Sequence, residues 1–171
     1  MAKGMYYYLR QAWKKPSVDV LRKRIVEWRK SNAIARVEKP LRLDRARALG
    51  YKAKPGFVVV RVRLKRGGRK KERIGGGRRS RRKITKKVLK SNYQWVAEQR
   101  AGRKYRNLEV LNSYWIGKDG EYYFFEVILV DPTHPQILND ESMKWVANPA
   151  SRGRVFRGLT SAAKKSRHDY L

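Results

Sequence analysis

The chain contains no cysteine, which excludes disulfide bonds and thiolate metal sites. Its two histidines, His134 and His168, lie far apart in sequence, so they do not form a spaced set of metal ligands. The N-terminus lacks the apolar run of a signal peptide, and no uncharged stretch reaches the length of a membrane span. These absences predict a soluble intracellular protein that needs neither a metal nor a cofactor.

Acidic residues are also scarce, 14 against 44 lysines and arginines, and the charge is distributed unevenly. The net charge is +30, yet residues 105–150 hold seven acids and three bases, a local charge of −4 that leaves +34 for the remainder. Residues 61–90 alone contain 16 lysines or arginines and a single acid, Glu72. Such a segment repels itself and has too few apolar residues to fold alone. This division favours a nucleic-acid partner.

Alternation of apolar and cationic residues predicts a half-buried strand over residues 57–64. Two further strand-like runs, 108–116 and 121–130, are separated by Gly-Lys-Asp-Gly, a strong hairpin signal. The run 121–130 is largely apolar on both faces, which predicts a central strand covered on both sides. Glu126 is its polar exception, and we expect it to pair with a neighbouring arginine.

Helical periodicity predicts one helix over residues 5–14 and a second that follows the N-cap Ser17 and extends to about residue 30. The tryptophans on these helices, Trp13 and Trp28, are expected to pack in the core. The cationic face of the second helix has few acids to balance it, so phosphate contact is a reasonable expectation there. Residues 32–43 are interpreted as a connecting arm.

Three further helices are predicted. A short one begins at the cap Asp44 and ends before Gly50. Another follows the cap Ser91 to about residue 100, with Glu98 on its outer side. The last begins after Thr160, and its free N–H groups would offer an anion site near the basic side chain of residue 157. Apolar residues 143, 145 and 146 are expected to dock on the core.

No catalytic motif is evident. Asp131 and His134 are close in sequence, but the chain has no Gly-x-Ser-x-Gly and no nucleophile in a recognisable setting. The glycines of residues 75–77 lack the Gly-Lys-Ser/Thr ending of a phosphate-binding loop, and they indicate either close backbone approach to phosphates or simple flexibility.

Three long blocks of the sequence resemble those of a known family. They are residues 50–70, which begin Gly-Tyr-Lys-Ala-Lys-Pro-Gly-Phe, residues 111–132, which include Leu-Asn-Ser-Tyr-Trp-Ile-Gly and Phe-Phe-Glu-Val-Ile-Leu-Val-Asp-Pro, and residues 157–167, Arg-Gly-Leu-Thr-Ser-Ala-Ala-Lys-Lys-Ser-Arg. Together with the tyrosine-rich N-terminus, they are similar to ribosomal protein L15e of archaeal and eukaryotic ribosomes, nearly end to end. Family members usually continue into a further basic tail, whereas this sequence stops at Leu171.

The resemblance implies an α+β fold, with a small mixed or antiparallel sheet packed with helices and long basic non-globular extensions. We expect a single domain over residues 1–171. Its parts are N-terminal helices over 5–30, a sheet core over 57–64 and 108–130, a core helix over 91–103, a basic RNA-binding arm over 65–87 and a basic C-terminal extension over 150–171.

The resemblance also implies a non-enzymatic constituent of the large ribosomal subunit in the cytoplasm, with large-subunit ribosomal RNA and neighbouring ribosomal proteins as its partners. The predicted RNA contacts are Arg22, Lys23, Arg24, Lys52, Lys54, Arg61, Arg63, Lys65, Arg66, Arg69, Lys70, Lys71, Arg73, Arg78, Arg79, Arg81, Arg82, Lys83, Lys86, Lys87, Arg152, Arg154, Arg157, Lys164, Lys165 and Arg167.

Two other functions remain open from the residues alone. One is a non-ribosomal enzyme acting on RNA, with Asp131, His134 and Glu126 as its polar centre. The other is a basic architectural protein that compacts nucleic acid, although neither a wedge residue nor a dimer-forming heptad is evident.

Overall fold

A computed structural model describes residues 2–70, 77, 86–87 and 89–168. The elements in chain order are α1 (Met5–Lys14), α2 (Val18–Lys30), β1 (Ile34–Val37), α3 (Leu43–Ala48), β2 (Phe57–Lys65), β3 (Arg69–Lys70), β4 (Lys86–Lys87), α4 (Tyr93–Lys104), β5 (Glu109–Lys118), β6 (Tyr122–Val130), α5 (Pro135–Leu138) and α6 (Ser161–His168). Short 3-10 turns at Lys144–Ala147 and Pro149–Ser151 lie between α5 and α6.

The core of the fold is an antiparallel sheet in the order β1-β2-β6-β5. The strand β6 lies between β2 and β5, and its residues from Phe124 to Val130 are all buried. The mixed α+β fold and the central, doubly covered strand are therefore confirmed. A second, two-stranded ribbon pairs β3 with β4.

Alternation along β6 divides the core between the two faces of the sheet. Phe124 and Ile128 join a cluster on one face with Trp28 of α2 and with residues of α3 and α5. Phe125 and Val127 join the cluster on the other face, which α4 covers through Ala97 and Ala101. A strand buried on both faces needs apolar residues at every position, which explains the near-continuous apolar run of this segment.

The predicted bounds of the first two helices are confirmed at Met5–Lys14 and Val18–Lys30. The two helices differ in their packing: α2 buries Trp28 in the core, whereas α1 has no buried residue. Trp13 is half-buried between the guanidinium groups of Arg24 and Arg42, at 5.8 and 5.3 Å from its ring, so the core position predicted for this tryptophan is wrong.

Several local predictions are also wrong. The segment 32–43, interpreted as a connecting arm, contains the edge strand β1, which pairs with β2 from Ile34 opposite Val62 to Val37 opposite Val59. The N-cap of α4 is Asn92, whose side chain accepts from the Trp95 N–H, and not Ser91. The helix α3 begins at Leu43, so Asp44 lies in its first turn and not at its cap.

The C-terminal segment packs against the body of the protein as far as Ser166. Val155 is buried beside α4, and Ala162, Ala163 and Ser166 are buried on α6. The Ser166 hydroxyl accepts the Asn92 N–H, and the Asn92 side chain donates to the Ala162 carbonyl. These contacts tie α6 to the start of α4. Of the small apolar cluster expected near here, Met143 and Val146 are buried and Trp145 is exposed.

Candidate nucleic-acid interface

Six of the predicted contact residues are exposed cations without an internal partner. They occupy four separate places in the fold: the outer face of α2, the end of β2, the segment before α6, and α6 itself. None of their side chains forms a hydrogen bond or ion pair with a residue that the structure describes. These residues are Arg22, Lys23, Lys65, Arg152, Lys164 and Lys165.

Arg61 and Arg63 of β2, and Arg66 directly after it, are half-buried and have partners within the protein. The guanidinium of Arg61 lies 5.5 Å from the Trp28 ring and donates to the Ser31 hydroxyl. Arg63 lies 4.8 Å from the Tyr122 ring and donates to the carbonyl of residue 29, and Arg66 donates to the carbonyl of residue 119. The contacts of Arg61 and Arg63 hold α2 against β2, and the contact of Arg66 holds the turn between β5 and β6 beside the end of β2. Burial lowers the pKa of Arg61.

Two arginines of the C-terminal segment point at backbone carbonyls. Arg154 donates to the carbonyls of Val110 and Leu111 at 2.7 Å, and its guanidinium lies 5.0 Å from the Trp145 ring. Arg157 donates to the carbonyls of Ala150 and Arg152. Arg154 therefore caps part of the outer edge of β5, and an edge strand otherwise presents unpaired backbone groups.

Lys52 and Lys54 converge on one carboxylate. Both ammonium groups contact Asp140 Oδ2, at 2.7 and 2.5 Å. Hydrogen bonds from Lys52, Lys54 and the Ser142 hydroxyl hold the pKa of Asp140 well below its usual range. The cluster keeps a net positive charge because two cations face one anion.

The backbone register of the β3–β4 ribbon pairs lysine and arginine residues. Its register sets Arg69 opposite Lys87 and Lys70 opposite Lys86. The predicted contacts Lys71, Arg73, Arg78, Arg79, Arg81, Arg82 and Lys83 lie outside the described residues, as does the side chain of Arg167.

The family model described as Ribosomal L15, of the L15e type, matches residues 4–169 of the chain. The chain belongs to the ribosomal L15e family. Members of this family are structural constituents of the large subunit of the cytoplasmic ribosome, where their partners are ribosomal RNA and other ribosomal proteins. The resemblance of the three long sequence blocks is therefore confirmed by a match that covers essentially the full length.

Ribosomal protein families are generally non-enzymatic, and the residues considered as a polar centre have local structural roles. Asp131 accepts from the N–H and the hydroxyl of Thr133, and His134 Nδ1 accepts from the Gln136 N–H at the start of α5. Glu126 is buried on the sheet. Within the described part of the chain, no three metal-ligating side chains cluster together and no helix is long and apolar enough to cross a membrane.

Two buried glutamates hold separate segments together. Glu98, predicted to lie on the outside of α4, is fully buried and accepts hydroxyl hydrogen bonds from Ser113 and Thr160, each at 2.5 Å. The Glu98 carboxylate therefore lies beside the start of α6, and the anion site expected there stays a prediction. Glu126 accepts from the Tyr114 hydroxyl and the Leu41 N–H, which replaces the expected ion pair with an arginine.

Burial raises the pKa of both glutamates, and their hydrogen bonds and nearby arginines offset only part of that rise. A raised pKa means that the folded state holds the proton more tightly than the unfolded chain. We therefore expect the free energy of unfolding to fall as pH rises from about 4.3, the usual value for glutamate, through the higher folded pKa values. Urea unfolding at several pH values measures this decline.

The Glu98→Gln and Glu126→Gln variants should each flatten the decline. The control is Glu121→Gln, because Glu121 is exposed and its removal should leave the slope unchanged. A wild-type stability that rises over this pH interval would contradict the assignment.

Sequence reasoning missed one further group of polar residues. Arg10 of α1, Arg42 at the N-cap of α3, Asp44 in the first turn of α3, and Trp115 of β5 border one cavity. No signal in the sequence connects these residues, because Trp115 follows Arg10, Arg42 and Asp44 by about 70 to 105 residues in the chain.

Proposed function

We propose that this large-subunit protein binds and stabilises folded ribosomal RNA by bridging phosphates of separate RNA segments with its basic residues. A folded body built on the β1-β2-β6-β5 sheet carries these residues on the outer face of α2, on the arm 65–87 and on the segment 150–171. Residues 105–150, which include the β5–β6 hairpin, contain only three cations. This part of the protein serves to hold the basic segments in position.

The observation that carries this proposal is the set of six exposed, unpartnered cations described above. A solvated basic face normally includes acids at neighbouring positions, and such pairing contributes little to stability. Here the cations come from four separate places in the fold and no described acid lies in contact with them. Polyanionic RNA supplies the missing negative charge.

The β3–β4 ribbon supports the same proposal. All four residues of its backbone register are lysine or arginine, the residue types that bind phosphate. Arginine can bind a phosphate through two parallel N–H donors, which suits a segment that must join two RNA backbones.

Recognition should depend mainly on RNA shape and backbone. The major groove of A-form RNA is too deep and narrow for side chains to read, so contacts across double-stranded regions involve phosphates and 2′-hydroxyls. The half-buried Arg61, Arg63 and Arg154 contribute by fixing the elements that carry the exposed cations.

Sedimentation tests the proposal. The full chain should travel with large ribosomal subunits at low salt and leave them at high salt, because salt weakens phosphate contacts. The double variant Lys164→Glu with Lys165→Glu should dissociate at a lower salt concentration than the wild type.

The matched control is Lys118→Glu with Lys144→Glu, which makes the same change in charge at two exposed lysines outside the proposed contact set. It should behave as the wild type does. If both double variants dissociate at the same salt concentration, net charge alone governs binding and the assignment of α6 is wrong.

A further inference from the structure

The helix α1 buries no residue, although its sequence has the pattern of an amphipathic helix. Met5, Tyr8 and Ala12 lie on one side of it, at spacings of three and four residues, and all three are exposed. A helix of ten residues is marginally stable in water by itself, and helices in proteins are normally stabilised by packing an apolar side. Among the described residues, nothing covers this side of α1.

The opposite side of α1 contacts the body of the protein through aromatic rings and guanidinium groups. Arg47 of α3 donates to the Tyr6 hydroxyl, and its guanidinium lies 5.7 Å from the Tyr6 ring. One helical turn or two further along the same side, Trp13 lies between two guanidinium groups. These contacts fix the orientation of the helix without burying it, so the side that carries Tyr8 faces outward.

Tyr8 is the most exposed aromatic residue in the part of the chain that the structure describes, at 62%, ahead of Phe156 at 48%. The ring of its neighbour Tyr7 has a cation over it, since Lys3 Nζ lies 4.3 Å from the ring centroid. The rings of Tyr7 and Tyr8 meet edge to face with their centroids 5.5 Å apart, which restricts the rotation of Tyr8. Tyr8 therefore presents an oriented ring to the solvent.

The charged residues of α1 and its flanks are all cations. Residues 1–18 contain Lys3, Arg10, Lys14 and Lys15 and no acid. The last three are exposed and form no hydrogen bond or ion pair with any residue in the described ranges. Proteins that bind single-stranded nucleic acid combine cations, which follow the backbone, with aromatic rings on which bases stack. The surface of α1 offers both.

A nucleic acid fits this surface better than the groove of another protein does. A helix that binds in an apolar groove presents large apolar residues at successive positions three or four apart. On α1 only Met5 and Tyr8 are large, and the next positions on that side hold Ala12 and the cation Lys15. The unbalanced positive charge of residues 1–18 requires an anionic partner.

We infer that α1 binds a single-stranded segment of RNA, with one unpaired base stacked on the Tyr8 ring beside Met5 and the adjacent phosphates in contact with Lys14 and Lys15. This inference rests on the proposed function, since it assumes an RNA ligand. It adds an element that holds none of the predicted RNA contacts. It also adds stacking, which does not depend on the identity of the base, to an interface otherwise based on phosphates.

The test is a titration of the full chain with a single-stranded RNA of about eight adenosines. The titration is done at the highest salt concentration at which the wild type still binds, because salt weakens the phosphate contacts. Tyr8→Ala should weaken binding about tenfold, since it removes the surface on which a base stacks. Tyr8→Phe keeps the ring and should bind as the wild type does.

Tyr8→Leu distinguishes stacking from a general apolar contact. Leucine keeps an apolar side chain but has no ring, so this variant should lose as much affinity as Tyr8→Ala. Alanine and leucine both favour a helix more than tyrosine does, so a loss of binding in these variants cannot come from a weaker α1. The matched control is Trp145→Ala, which removes an exposed ring elsewhere and should leave the affinity unchanged.

Hydrogen exchange of the α1 amides gives a second readout. Because α1 buries no residue, these amides should exchange rapidly in the free chain. RNA at about ten times its Kd should slow their exchange about tenfold in the wild type and in Tyr8→Phe. At the same RNA concentration, Tyr8→Ala should show little slowing.

Unchanged affinity in Tyr8→Ala, or α1 amides that RNA does not protect, would overturn the stacking site. Either result would leave the proposed function intact, provided that RNA binding by the wild type still weakens with salt. Equal affinity of Tyr8→Leu and the wild type would also overturn it, because an apolar side chain would then be sufficient and the surface would suit a protein partner. Absence of any RNA binding at low salt would instead refute the proposed function itself.

Discussion

The affinity of the protein for large-subunit ribosomal RNA is expected to fall on the order of 10³-fold or more when salt rises from about 50 to about 200 mM. Each phosphate that a lysine or arginine neutralises releases condensed counterions, and the release becomes less favourable as salt increases. The estimate assumes about eight phosphates, which is modest for a chain with a net charge of +30.

Filter binding of an RNA fragment across this range measures the slope of log affinity against log salt. Lys164→Glu with Lys165→Glu should reduce the slope, because a lost phosphate contact lowers it by about one. Lys118→Glu with Lys144→Glu should not, since both of these lysines lie within residues 105–150, where acids outnumber bases. An affinity that stays flat over the range would contradict a mechanism based on phosphates.

The elements that the sequence predicted well are those whose pattern is set by burial alone. The strand β6 is buried on both faces, and its apolar run, interrupted only by Glu126, predicts this burial. The helices α1 and α2 are separated by Pro16, which stops the first, and by Ser17, which caps the second, so their bounds could be predicted closely.

Elements whose environment depends on distant residues could not be predicted. The strand β1 has only four residues, and it exists because its backbone pairs with Val59 to Val62 of β2. Glu98 is a typical exposed helix residue by sequence. Its burial depends on hydroxyl groups of Ser113 and Thr160, which lie 15 and 62 residues away in the chain.

The same limit applies to the interface. By sequence, Arg61 and Lys65 are equivalent members of the cationic face of a strand. In the fold, α2 covers the first, so that Arg61 contacts Trp28 and Ser31, while Lys65 stays exposed at the end of β2. Composition therefore predicts a basic surface, and tertiary packing decides which cations remain available to RNA.

A substitution at Gly56 should destabilise the fold strongly. This glycine precedes β2 with a φ of +93°, and its carbonyl accepts the N–H of Asp131, which joins the start of β2 to the end of β6. A Cβ at this position would lie 2.6 Å from Ile137 Cγ1 and 3.3 Å from His134 Cβ. Ile137 is fully buried in the core, so it has little room to move.

Gly56→Ala thus combines backbone strain with overpacking, and we expect it to lower the free energy of unfolding by about 2–5 kcal/mol. Two other glycines separate these causes. Gly67 has a φ of +95° with nothing within 4 Å of its Cβ position, so Gly67→Ala tests strain alone and should cost about 1–2 kcal/mol. Gly120 has neither feature, and Gly120→Ala should have an effect of about 0.5 kcal/mol or less.

Urea unfolding of the three variants gives the comparison. From the most to the least stable, the expected order of the variants is Gly120→Ala, Gly67→Ala and Gly56→Ala. If Gly56→Ala loses no more stability than Gly67→Ala, the contact with Ile137 is not limiting and only the backbone conformation requires glycine. Because a Cβ at Gly56 would meet Ile137 of α5, a large loss in this variant alone would show that the packing of α5 against the start of β2 is part of the cooperative core, although α5 has only four residues.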